Sequence, residues 1–169
     1  MVIRIIEKCN LILNEMNLFT NELLFVNEPI LDDRLESFEK KNKIKLPFDF
    51  KYLLSKHNGF SLNGTEVLGL DDKFKESSLE KVYDFEHYIV ENKMPTEYIP
   101  FSPDGRGNHY CLDLSRLSND ICPIVFWQWD YKYENKEEIE TCNNSFHEWV
   151  KEVLINWTLD EYNYDGTSK

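Results

Sequence analysis

Ile99-Pro100-Phe101-Ser102-Pro103-Asp104-Gly105-Arg106-Gly107-Asn108-His109-Tyr110-Cys111-Leu112-Asp113-Leu114 is the stretch on which the fold turns. Its pattern predicts strand, tight glycine turn, strand. Asp104-Gly105 and Gly107 supply positions that tolerate positive φ, which a short antiparallel reversal needs. Past the turn, Tyr110, Leu112 and Leu114 alternate with His109, Cys111 and Asp113, so one face of the strand is expected in the core. A further apolar run, Pro123-Ile124-Val125-Phe126-Trp127-Gln128-Trp129, follows the turn Ser118-Asn119-Asp120. Alternation there sends Phe126 and Gln128 to one face and Trp127 and Trp129 to the other. One tryptophan should fill core beneath a helix. The other, Trp129, is the candidate for a partly exposed binding anchor.

Outward from this sheet the chain reads as helices. Val2 to Asn17 places Val2, Ile5, Ile6, Cys9, Ile12, Leu13 and Met16 on one stripe, the mark of an amphipathic helix. Leu23 to Val26 is extended or loop. Leu31 to Asn42 reads as helix, with Asp32 and Asp33 in the first turn and Lys40 and Lys41 near the end, as the helix dipole favours. Pro47 can open the next helix at its first position, and Gly59 provides a left-handed stop after Lys56. Phe60 to Gly64 reads as a turn and Glu66 to Leu70 as a short strand. Ser77 to Glu80 matches a capping box, opening a helix to Asn92. Asp130 to Cys142 is polar and acidic, with Tyr131 and Tyr133 alternating as in an edge strand. The final helix opens at Ser145-Phe146-His147-Glu148 and lines up Phe146, Trp149, Val150, Val153, Leu154 and Trp157. Residues 1–158 therefore form one domain, and 159–169 a frayed acidic tail.

The chain has 169 residues, 41% hydrophobic and 14% aromatic, enough to bury a proper core. No apolar run approaches the ~20 residues of a membrane span, and the charged start does not suit a secretory leader. A cytoplasmic protein with no membrane partner is expected. Cys9, Cys111, Cys122 and Cys142 show no paired spacing and are expected as reduced thiols. A formal net charge of −12 disfavours direct nucleic-acid binding, which relies on lysine and arginine, and suits a basic protein partner.

Chemistry-bearing constellations are thin. Asp104 and Asn108 offer too few oxygens for a calcium loop, and the Gly-Lys-Ser/Thr end of a phosphate loop is missing. A turn whose aspartate caps its own backbone is the expectation. His109 and Cys111 share a strand face, but two further metal ligands are not visible, and a third group to make Cys111 a nucleophile is lacking. Asp113 is expected to cap Leu114-Ser115-Arg116 and not to pair with Asp104 for acid–base work. No cofactor, metal or catalytic residue is expected. The remaining lead is charge: Asp71, Asp72 and Glu76 after the short strand, and Glu134, Glu137 and Glu138 after the long one. Lys40 to Lys56 is basic, so the charge is unevenly spread.

Taken in order, Ile44-Lys45-Leu46-Pro47-Phe48-Asp49-Phe50, Asn58-Gly59, Ile99-Pro100-Phe101, Asp104-Gly105-Arg106-Gly107-Asn108, Tyr110-Cys111-Leu112-Asp113, Pro123-Ile124-Val125-Phe126-Trp127 and Ser145-Phe146 resemble the SUKH superfamily. Its members include a fungal cell-wall-synthesis regulator and many bacterial immunity proteins. The resemblance spans roughly Leu31 to Val153, with Asn108 standing where the family often has aspartate. It implies an α+β fold with a central, mostly antiparallel sheet flanked by helices. Pro47, Asn58, Gly59, Phe101, Asp104, Gly105, Gly107, Asp113 and Trp127 would carry the structural motif. It also implies an intracellular immunity protein, not an enzyme, that binds and neutralises a cognate toxin, commonly a nuclease. Asp71, Asp72, Glu76, Trp129, Glu134, Glu137 and Glu138 are the expected docking residues. The alternative function is a regulatory scaffold without a toxin partner.

Overall fold

The computed structural model describes residues 1–169, apart from the side chain of Asp32; the dipole role expected of that carboxylate lies outside the described residues. The expected stripe forms α1 (Val2–Met16), which buries Ile5, Cys9, Ile12 and Met16 against α3 (Phe48–Lys56) and α5 (Phe146–Trp149). In chain order α2 (Asp32–Asn42) comes between α1 and α3, closed by Lys43 in the left-handed region at φ 55°.

Seven strands form two antiparallel sheets. The first has the order β1 (Leu24–Val26), β2 (Phe60–Leu62), β3 (Thr65–Val67). The second runs β4 (Tyr98–Pro103), β5 (His109–Asp113), β6 (Ile124–Trp127), β7 (Glu140–Asn143). The fold is α+β as expected, with the sheet split in two. A register shift between Pro100 and Ser102 frees the Phe101 carbonyl. It accepts from Leu68 N at 2.8 Å, stitching the sheets together.

Several local expectations are corrected. Phe60 to Gly64 is not simply a turn: β2 and β3 form a hairpin closed by Asn63 and Gly64, with φ 48° and 82°. Two consecutive positive φ values suit the right-handed strand twist. Pro47 is extended, at φ −64° and ψ 149°, and precedes the first helical residue instead of occupying it. The serine that caps the fourth helix is Ser78, accepting from Lys81 N at 3.2 Å. Helix α4 (Leu79–Asp84) then widens into a π-helical turn, Phe85–Ile89, well short of Asn92. Tyr131 and Tyr133 lie in an irregular loop, and the edge strand comes later, as β7. The last helix runs continuously from α5 through a π-helical stretch, Val150–Asn156, into α6 (Trp157–Glu161).

Helices cover one face of the second sheet. There Phe101 packs edge-on against Phe146 and Trp149, at 5.1 and 4.8 Å between ring centres. The other face is also covered: Met94, Tyr98, Cys111, Val125, Trp127 and Ile139 form a second, smaller core. His109, Cys111 and Asp113 are therefore buried as well, because the segments 85–95 and 129–139 fold over a face that alternation alone leaves open.

The end of the chain is not frayed. Tyr164 sets its ring 4.8 Å from Phe19 and donates its hydroxyl to Glu15 at 2.9 Å. Its carbonyl accepts from Thr20 N at 2.8 Å. An aromatic residue with a polar tip docks a short tail that looks featureless by composition.

Candidate functional site

The two segments over the second core enclose a groove of about 1180 Å³. One wall is the π-helical turn after α4, with Phe85 exposed and Glu86 buried. His87 holds that wall, its ring nitrogens 2.7 Å from the Tyr83 carbonyl and 3.0 Å from that of Pro95. The other wall is the 129–139 loop. Asn92 joins the walls by donating to the carbonyls of Trp129 and Tyr131, at 2.7 and 3.1 Å. Trp127, Tyr133 and Ile139 complete the lining.

The glycine turn is the seat of Trp129. Asp104 Oδ1 accepts from Arg106 N and Asn108 N at 2.7 and 3.0 Å, and its Oδ2 accepts from Asn108 Nδ2 at 2.7 Å. These bonds hold the Asp104 carboxyl below the usual carboxylate range despite some desolvation. Asn108 Oδ1 is thereby left to accept from Trp129 N at 3.3 Å, while the indole N–H donates to the Arg106 carbonyl at 2.9 Å. Gly107 lies beneath the ring. At its φ of 94°, a Cβ would stand 2.6 Å from Trp129 Cδ1. Trp129 as a whole is 52% exposed, so it is fixed in place yet presented to solvent.

A buried polar group of the groove, Glu86, comes close to a second one, His109, which does not itself line it. Glu86 Oε1 lies 4.0 Å from His109 Nδ1, too far for a hydrogen bond. Neither Glu86 Oε2 nor His109 Nδ1 has a partner among the described residues. Burial raises the Glu86 pKa. Burial also drives His109 down from 6.5 to about 4, against the opposing pull of Asp104 and the Gly107 backbone. In the sequence His109 has only Cys111 for a visible companion, and Glu86 stands on a helical stretch with no signal of its role.

The expected docking residues divide. Trp129 and Glu134 line the groove, and Glu137 and Glu138 stand exposed on the adjoining 3-10 turn, Lys136–Glu138. Asp71, Asp72 and Glu76 do not line it: Asp71 caps Lys73 N at 2.9 Å, and Asp72 pairs with Arg34 of α2 at 2.9 Å. Among the motif residues, Trp127 and Gly107 line the groove. Asn58 does a different task, exchanging two hydrogen bonds with the Leu70 backbone at 2.7 and 3.0 Å. Asp113 accepts from Ser115 N at 3.0 Å and Arg116 Nε at 2.6 Å, at the opposite end of β5 from Asp104.

One arrangement imitates a hydrolase. Asp49 Oδ2 lies 2.9 Å from His147 Nδ1, and His147 Nε2 lies 3.3 Å from Ser145 Oγ, the order of a Ser-His-Asp relay. All three are sealed, at 0, 4 and 0% exposure, and Ser145 Oγ is spent accepting from Glu148 N as a helix cap. A hydroxyl without surface meets no substrate; the row fastens α3 to α5. Among the described residues, no three His, Cys, Asp or Glu side chains cluster to hold a metal, and no helix is long and apolar enough to cross a membrane. All four cysteines are free.

Among known proteins, the family model described as the SMI1 / KNR4 family (SUKH-1) matches residues 29–152. That range contains both sheets except β1, and the whole groove. The chain is also similar to a solved protein from Pseudomonas syringae pv. tomato, at 20% identity and a TM-score of 0.54, covering 78% of this chain and 87% of that one.

Proposed function

The chain belongs to the SMI1/KNR4 family (SUKH-1), and from that premise we propose that it is an immunity-type binding protein that neutralises a cognate toxin in the cytoplasm. The observation that carries the reading is Trp129, a half-exposed tryptophan seated rigidly on a conformationally restricted turn at the mouth of a groove. Rigid aromatic anchors lose little entropy on binding and dominate interface energetics. Asp130 and Glu134 line the same groove and Glu137 and Glu138 stand on the adjoining turn, on a chain of net charge −12, which suits a basic toxin domain such as a nuclease. The toxin is blocked by coverage, with a total buried area of roughly 1,600 Å². No group of this chain takes part in covalent chemistry.

Co-expression with a toxin encoded beside its gene tests the reading. The wild-type chain restores growth, and Trp129→Ala weakens the purified complex about 30-fold, the ~2 kcal/mol of an interface hot spot. A toxin that stays lethal in the presence of the folded wild-type chain, and does not bind it, sinks the proposal.

A further inference from the structure

We propose that Glu86, which lines this groove 4.0 Å from the buried His109, receives one arginine side chain of the protein partner. The inference rests on the groove being the partner-binding site, but its test does not require a toxin. Glu86 and His109 are each only 6% exposed, and a buried polar atom without a partner is a costly exception in a folded protein. Here two such atoms, Glu86 Oε2 and His109 Nδ1, belong to side chains that approach within 4.0 Å without bonding. Burial keeps His109 neutral, so it brings no compensating charge. Lys93, Lys132 and Lys136 line the groove, yet no lysine or arginine among the described residues forms an ion pair with Glu86, and Lys136 is engaged with Glu97. What is missing is a donor carrying positive charge.

The surroundings favour guanidinium over ammonium. Phe85, Trp127, Trp129 and Tyr133 line the same groove as Glu86. A planar, weakly hydrated cation stacks on such rings and leaves water more readily than a lysine head does. Its several N–H groups let one nitrogen serve the carboxylate while another stays free for a second acceptor. The rim acids Glu91, Asp130 and Glu134 line the approach. An arginine from a basic partner would complete the hydrogen bonding that the free protein leaves unfinished.

The probe is a capped Gly-Arg-Gly tripeptide, titrated into the ¹⁵N-labelled full chain, with the citrulline tripeptide as an uncharged twin of the same shape. The arginine peptide is expected to shift the Trp129 indole and the Glu86 and Gly107 amides saturably, and the citrulline peptide to leave them in place. Glu86→Gln, which keeps the shape and removes the charge, should weaken the arginine peptide about ten-fold or more, with its thermal midpoint reporting that it folds. Equal shifts with citrulline, wild-type affinity in Glu86→Gln, or no saturable shift would each overturn the proposal. So would a His109 imidazole titrating above 6.5, which would mean that Glu86 and His109 close on each other. Arginine binding without protection from any toxin would leave this site standing and remove the neutralising role. Protection by a Glu86→Gln chain as full as wild type would do the reverse.

Discussion

At the residue scale, the molecule's most informative contact is between Gly107 and Trp129. Hairpin glycines are expected for their φ, and Gly107 does sit at +94°, but the approach of the indole adds a second demand on the same position. Gly107→Ala is expected to cost about 1–3 kcal/mol, from backbone strain plus displacement of the ring. Urea denaturation reads the loss, and altered tryptophan emission reports the displaced indole. Gly105, at φ 77° with open space where a Cβ would stand, carries only the conformational cost and should lose less. His109 supplies a pH test. Its folded pKa of about 4 lies below the ordinary 6.5, so between those values the unfolded chain binds a proton that the folded chain refuses. Stability from this group is complete above 6.5 and falls as pH drops towards 4, by about 3 kcal/mol at ~1.4 kcal/mol per unit. Glu86 slopes the opposite way, since a raised carboxylate pKa favours the fold at low pH. The quantity to measure is therefore the difference between wild type and His109→Gln in urea across pH 4–7. A difference that does not change with pH would contradict the buried neutral imidazole.

At the element scale, periodicity reveals the amphipathic α1, the final helix and the strands on either side of Asp104-Gly105, because each has one strong burial pattern. What stays hidden depends on contacts distant in sequence. Asn63-Gly64 is a hairpin signal in its own right, yet the flanking strands are only three residues each, Phe60–Leu62 and Thr65–Val67, too short for alternation to declare itself. The π-helical turn at Phe85–Ile89 departs from the 3.6-residue period that a helical reading assumes. The second core beneath Trp127 needs the 129–139 loop to fold back, which no local pattern specifies. The docked tail rests on Tyr162 and Tyr164, two aromatic residues set among polar ones. Removing residues 162–169 should uncover Phe19, leave the Glu15 carboxylate with Lys151 as its partner and cost about 2 kcal/mol, counting the Tyr164 ring contact with its hydrogen bond. Tyr164→Phe should lose only the hydroxyl's share, about 1 kcal/mol. Thermal unfolding of the two variants separates ring from hydroxyl, and a truncated chain as stable as wild type would show the contact to be idle.

At the scale of the whole molecule, the acidity and the exposed tryptophan are legible in the sequence but their placement is not. Two acidic runs that look equivalent in sequence differ in their surroundings. Asp72 is paired with Arg34, and Glu80 beside it with Arg34 and Lys41. Glu137 and Glu138 stand exposed in the loop that walls the groove. Local field around the binding patch governs association rate, and neutralised charges contribute little to it. Two double reversals isolate this, since each adds four charge units and takes the formal net charge from −12 to −8. Glu137→Lys with Glu138→Lys is expected to slow association with a basic toxin about ten-fold at low ionic strength, with little effect on dissociation. Asp71→Lys with Asp72→Lys should slow it far less, although it meets the same net charge. Stopped-flow association over a range of salt reads both: the gap between the variants should close as screening shortens the reach of each charge. Equal slowing would assign the steering to net charge and not to the groove's rim, and a wild-type rate indifferent to salt would remove electrostatic steering altogether.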